Sequence, residues 1–163
     1  MPNHVYSVLK FSYHDDKGEM IENIIESIGD LKNPLDFNKI IPQPLGIQDE
    51  REEVLSDAER NWNIENWGTK WNAYDVSIKS KDTWKLVVGF QTAWNAPNPV
   101  INKIMELFPL VDINYLSADD GGWFACHIEK SQSEGVVSRI WDRGNDADGV
   151  IRSALFEALN SSY

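Results

Sequence analysis

The chain has 163 residues, with 15 basic against 26 acidic side chains, a formal charge of −11 and a single cysteine. At 42% hydrophobic and 25% charged, it has the composition of a globular protein long enough to bury a sizeable core, which excludes the disordered and fibrous classes. No apolar run reaches the roughly 18–20 residues of a membrane helix, and the opening Met1-Pro2-Asn3-His4-Val5 lacks the basic flank and apolar stretch of an export signal. The expectation is a cytoplasmic protein with no membrane association, and the lone Cys126 leaves no internal disulfide.

Residues 5–13 alternate, with Val5, Leu9, Phe11 and Tyr13 largely on one side, the pattern of a half-buried strand. After Asp15-Asp16, a natural N-cap, Ile21, Ile24, Ile25 and Ile28 fall at helical spacing, and Gly29 supplies the stop. Asn33-Pro34 and Ile41-Pro42-Gln43-Pro44 predict irregular chain, because proline removes a backbone donor and restricts its predecessor. Residues 48–66 are Glu-rich and carry Leu55, Ala58 and Trp62, which predicts a second, shallower helix outside the main core, ended by Gly68.

Residues 73–80 alternate Tyr74, Val76 and Ile78 with polar side chains, and Trp84, Leu86, Val88 and Phe90 alternate in the next segment, placing Trp84 in the core. The turn at Lys81-Asp82 is too short for a parallel crossover, so these two strands pair as an antiparallel hairpin. Asn98-Pro99 reads as an N-cap and first helical residue, followed by the stripe Ile101, Ile104, Leu107, Phe108 and the stop at Pro109. A strand through Val111, Ile113 and Tyr115 turns at Asp119-Asp120-Gly121-Gly122 into a strand over 123–130. Another strand over 136–141 follows, then a helix to about Asn160 capped by Asp146 or Asp148.

The heart of this order is β-α-β-β-α-β. It predicts an α+β, ferredoxin-like split antiparallel sheet with both main helices on one face. An acidic helix is inserted at about residues 33–72, a β-β-α extension follows at the C-terminus, and residues 1–163 form a single domain.

The string Asn66-Trp67-Gly68-Thr69-Lys70-Trp71-Asn72-Ala73, preceded by Ile41-Pro42 and followed by Phe90-Gln91-Thr92-Ala93-Trp94-Asn95-Ala96-Pro97, resembles the YubB-type ferredoxin-like family. The resemblance covers about residues 1–130. It implies the same fold and an origin in a phage, prophage or conjugative plasmid, and it assigns no activity. The segment 116–123 is similar in character to the family's acidic, glycine-rich turn without matching it closely.

Seven tryptophans exceed ordinary usage. Trp67, Trp71 and Trp94 stand at predicted element ends beside Asn66, Lys70, Asn72 and Thr92, and the hairpin would bring their two strings together. Read functionally, these seven residues wall an aromatic cleft whose amide and ammonium groups orient a ligand. Read structurally, they fasten the insertion to the sheet. Cys126 and His127 are adjacent, so on a strand they face opposite ways and cannot share a metal. The sequence has no zinc spacing and no glycine-rich phosphate loop, so no metal, cofactor or catalytic constellation is expected.

Net negative charge makes nucleic acid an unfavourable partner. The acids at 49–53, Asp57, Glu59, Asp142, Asp146 and Asp148 form either solvated faces or a surface for a basic protein partner. The expected function is a non-enzymatic binding module acting on a macromolecule, with a small-ligand binder or enzyme using the tryptophan cleft as the alternative. The strand over 136–141 could pair with a second copy, although Arg139 and Asp142 are placed to guard it, and the oligomeric state stays open.

Overall fold

In the computed structural model, which describes residues 3–14, 20–47, 55–146 and 149–160, the first alternating segment becomes β1 (His4–Ser12), buried on both faces. Leu9 and Phe11 point to one core and Val8 to another. The helix α1 (Met20–Ile28) buries Ile21, Ile24, Ile25 and Ile28. Nine residues are too few for an isolated helix to persist in water, so this burial, at about 1.5–3 kcal/mol per isoleucine, holds it. Its expected cap at Asp15-Asp16 lies outside the described residues. Gly29 follows because the chain doubles back on it: a Cβ there would stand 2.3 Å from Asn33 O and 2.5 Å from the Pro34 carbonyl carbon.

Within the proline-rich stretch a single turn forms, α2 (Phe37–Ile40), started by Asp36, whose side chain accepts from the Asn38 N–H. Phe37 and Ile40 enter the core. The acidic helix α3 (Asp57–Trp67) begins at Ser56, whose hydroxyl accepts from the Glu59 N–H at 3.1 Å. Part of the expected span, residues 48–54 with the acids at 49–53, lies outside the described residues. The inward face of α3 differs from the expected stripe: Glu59, Asn63 and Trp67 are buried and Ala58 is exposed. One side of this helix therefore faces a polar interior, and Glu59 is no part of a solvated face.

The hairpin β2 (Tyr74–Lys81) and β3 (Lys85–Ala93) is antiparallel, with register shifts between Tyr74 and Ser77 and between Ile78 and Ser80. Leu86, Val88 and Phe90 are buried as the alternation predicts. Trp84 is not: it is 39% exposed. It precedes the strand, in a turn where Asp82 Oδ1 accepts from the Trp84 and Lys85 N–H groups. The helix α4 (Asn98–Leu107) starts from Pro97 with no side-chain cap. Asn98 does not serve as cap because its Oδ1 turns to the sheet and accepts from the Cys126 thiol at 3.7 Å.

The chain ends with β4 (Asp112–Asp119), β5 (Phe124–Ser131), β6 (Gly135–Asp142) and α5 (Val150–Asn160). Asp146 Oδ1 accepts from the Ile151 N–H at 3.1 Å in the first turn of α5, while Asp148 lies outside the described residues.

The sheet has six strands in the order β2-β3-β1-β4-β5-β6, with every neighbouring pair antiparallel. Its first four strands with α1 and α4 are the ferredoxin-like βαββαβ unit, and β5, β6 and α5 extend it. The larger core lies between one sheet face and α1, α2 and α4, with Trp67 from α3. A smaller core on the other face joins Val8, Val87, Leu116, Ala118 and Ala125 to Ile151 and Ala154 of α5. The C-terminal helix thus covers part of the face that the two main helices leave open. No described helix is long and apolar enough to cross a membrane.

Candidate functional site

The two tryptophan strings meet where α3 gives way to β2 and β3 gives way to α4. Gly68 closes α3 in the left-handed conformation, φ +81°, and a Cβ on it would lie 2.9 Å from Pro99 Cδ and 3.2 Å from Ala96 O. A glycine therefore lets the first string pass against the second. Next in the chain, fully buried Thr69 donates from Oγ1 to Ala93 O at 2.9 Å, and Lys70 Nζ stands 4.8 Å from the centre of the Trp94 ring.

The seven sequence-predicted residues divide by what they do there. Trp67 is 2% exposed and donates its indole N–H to Ile41 O at 2.9 Å, with its ring edge-on to Phe37 and Trp62. Asn66 bonds back to Trp62 O within α3. Asn72 accepts from the Phe37 N–H and the Ala73 N–H, both at 2.9 Å, and donates to Asp36 Oδ1 at 2.7 Å, tying α2 to the start of the hairpin. Thr92 is buried and donates to Asn95 O at 2.8 Å. These four fasten the insertion and the β3–α4 turn. Lys70 and Trp94 form an exposed cation–π pair, and Trp71 is left on the surface.

Of the seven, Trp67, Trp71 and Asn72 share a cavity of about 280 Å³, which is also lined by Asp36, Asn38, Gln43, Leu55, Glu59 and Asn63. Gln43 Nε2 donates to Asn63 Oδ1 at 2.6 Å and to Glu59 Oε1 at 3.2 Å, and Asn63 Nδ2 donates to Lys70 O at 2.8 Å. Asn66, Lys70, Thr92 and Trp94 do not line it. Sequence reasoning missed the polar half of this cavity. The available signal was the i, i+4, i+8 series Glu59-Asn63-Trp67, which places a carboxylate, an amide and an indole on one helix face.

Cys126, His127, Tyr115 and Lys130 do not line this cavity. Cys126 and His127 face opposite sides of β5: the thiol is buried in the larger core, and His127 Nε2 lies 3.0 Å from Asn114 Nδ2 beside the smaller one. Burial pushes the Cys126 thiol above its ordinary range, with the Asn98 contact opposing it, which disfavours the thiolate. Burial likewise raises the Tyr115 hydroxyl, which lies 3.2 Å from Ser7 Oγ. Lys130 donates to the Met105 and Phe108 carbonyls at the end of α4, and its loss of solvent lowers its pKa. Among the described residues no group of three or more His, Cys, Asp and Glu could hold a metal ion.

A different feature stands at the far edge of the sheet. β6 pairs with β5 from Phe124↔Asp142 to Ser131↔Gly135 without a register shift, and no strand among the described residues lies on its other side. Val136 is 57% and Ile140 60% exposed there. Both point to the same face as Lys130 and Cys126, their partners on β5.

No curated protein and no solved structure matches the chain significantly. A family model does, over residues 69–159, which is more than half of the chain and runs from Thr69 through β2, β3, α4 and the whole C-terminal extension. The matched span reaches further toward the C-terminus than the resemblance over residues 1–130, and it makes β5, β6 and α5 part of the family's own unit. The chain belongs to the family of ferredoxin-like domains of Api92-like proteins.

Proposed function

We propose that this protein is a non-enzymatic binding module whose β6 edge takes up an extended, basic segment of a protein partner. The observation that carries the reading is the open edge of β6. It is a strand of eight residues in unbroken register with β5, with no strand among the described residues on its other side and two exposed aliphatic side chains on one face. Natural edges are usually blunted by bulges, proline, charge or a covering element; β6 carries the charges of Arg139 and Asp142 but no bulge, and strand addition to such an edge is a recurring mode of peptide recognition.

Charge favours a basic occupant. Exposed Glu129, Glu134 and Asp142 outnumber exposed Arg139 on this hairpin, and Arg143 is engaged over the Trp123 ring, 3.7 Å from its centre. The net charge of −11 adds long-range attraction for the same class of partner. The same charge disfavours nucleic acid. The likeness of the tryptophan strings to YubB-type proteins supports placing the module among the accessory proteins of phages, prophages or conjugative plasmids.

The test uses two synthetic peptides, one alternating lysine with valine and one alternating glutamate with valine, with binding followed by fluorescence anisotropy. The lysine peptide binds at low salt and is released as salt rises, and the glutamate peptide does not bind. Ile140→Lys, at a site exposed enough to leave the fold intact, weakens lysine-peptide binding about tenfold or more through like-charge repulsion and loss of apolar contact. Equal binding of both peptides, or an unaffected I140K, would overturn the reading. So would a stable dimer in sedimentation that already occupies β6.

A further inference from the structure

We infer that Trp94 and Lys70 form a docking point for a carboxylate-bearing peptide segment, which lays an aromatic side chain on the indole and its carboxylate on the ammonium. The inference is independent of the β6 reading, since the two places share no residue.

The backbone at Trp94 is strained. Among the described residues two that are not glycine hold a positive φ, Asp75 at +49° and Trp94 at +70°. Aspartate tolerates this region, and Asp75 is also tied down by Gln91 Nε2, which donates to its Oδ2 at 2.9 Å. A bulky tryptophan does not tolerate it, because its Cβ crowds the backbone there. The surrounding chain imposes the conformation. The Asn95 N–H donates to Ala93 O at 2.9 Å, closing a three-residue turn around Trp94, and the Trp94 N–H donates to Asn3 O at 3.0 Å. Fully buried Thr69 and Thr92 donate to Ala93 O and Asn95 O at 2.9 and 2.8 Å.

None of these bonds uses the indole, so glycine would satisfy them all without strain. The ring belongs to neither core and is 43% exposed. A side chain that the fold uses so little, kept on backbone that disfavours it, is the pattern of a contact site. Tryptophan is also the residue type most enriched among the anchors of protein interfaces.

Charge selects the partner. None of the 26 acidic residues falls in 66–74 or 83–105, the segments that carry the two strings, and these hold Lys70, Lys85 and Lys103. Lys70 Nζ lies 4.8 Å from the centre of the Trp94 ring, and among the described residues no carboxylate pairs with it. A carboxylate arriving at this ammonium is thereby placed beside an open aromatic surface. The net charge of −11 repels acidic segments at long range, so selection here is local.

The test follows the Trp94 indole N–H by proton–nitrogen NMR of the full chain, assigned as the peak missing from Trp94→Phe, while three capped dipeptides are titrated: Phe-Glu, Ala-Glu and Phe-Lys. Phe-Glu moves that peak, Ala-Glu binds at least several-fold more weakly, and Phe-Lys leaves it in place. Lys70→Gln lowers Phe-Glu affinity about tenfold, whereas Ile140→Lys leaves it unchanged, so this site and the β6 edge are judged separately. Strain is read by urea denaturation: Trp94→Gly is more stable than Trp94→Ala, the reverse of the usual order, because glycine alone relieves the backbone. A Trp94 peak unmoved by Phe-Glu, equal binding of Ala-Glu or Phe-Lys, or W94A at least as stable as W94G would overturn the inference. Should neither Trp94 variant fold, K70Q and the three dipeptides decide it.

Discussion

Trp67 and Trp71 belong to one short string yet do opposite things, and the difference is set by α3. Trp67 is its last residue and lies one turn beyond Asn63 on the buried face, whereas Trp71 comes after the chain has turned at Gly68. Trp67→Ala is expected to cost about 3–5 kcal/mol, the usual range for truncating a buried tryptophan, and Trp71→Ala less than about 1 kcal/mol, measured by urea denaturation. Asn72→Ala leaves the Phe37 N–H without its acceptor and should cost about 1–3 kcal/mol. Tyr115 tests the buried hydroxyls by pH. Its pKa is raised by burial, so its contribution to stability is complete below the unfolded value of about 10 and is lost as pH rises above it. Tyr115→Phe should flatten the alkaline fall in stability, and an unchanged alkaline profile would contradict that assignment. At this scale the sequence shows which residue types gather at the hairpin's end. It cannot separate Trp67 from Trp71, or recognise Glu59 as buried, because that depends on the direction in which α3 faces the sheet.

At the level of elements, legibility follows the strength of the periodic signal. α1 and α4 were readable because four or more apolar side chains recur at helical spacing, and the β2–β3 hairpin because its turn is too short for any other connection. α2 was not readable: four residues between prolines carry no period, and the helix exists because Asp36 and Asn72 bond its backbone while Phe37 packs against Trp67 and Phe90. The fastening of α5 makes a contrast of packing with charge. Its apolar contact is a small cluster around Ile151 and Ala154, and its ion pair, Lys10 Nζ to Glu157 Oε1 at 3.1 Å, is largely exposed on the glutamate side. Glu157→Gln should therefore change stability by less than about 1 kcal/mol. Ala154→Glu, which forces a carboxylate into the cluster, should release the helix and speed amide exchange along α5 while leaving α4 protected. Equal effects of the two substitutions would show that the ion pair, and not the apolar contact, holds α5.

The whole molecule is a ferredoxin-like sheet widened on one side only. β2 ends one edge beside its bulged pairing with β3, and the edge distorted in this way is poorly suited to templating another strand. β6 ends the other, in unbroken register and with aliphatic side chains exposed. The split β-α-β-β-α-β pattern, with both main helices on one face, was legible from the element order and right-handed crossovers. The position of β5 and β6 beyond β4 follows from two further short hairpins, while the openness of β6 depends on α5 crossing the opposite face and leaving the edge uncovered. Under the proposed function, this edge is the docking strand. Amide hydrogen exchange of the full chain, with and without the alternating lysine–valine peptide at low salt, tests it residue by residue. New protection is expected to concentrate in Gly135–Asp142; protection elsewhere with β6 unchanged would contradict docking on this strand.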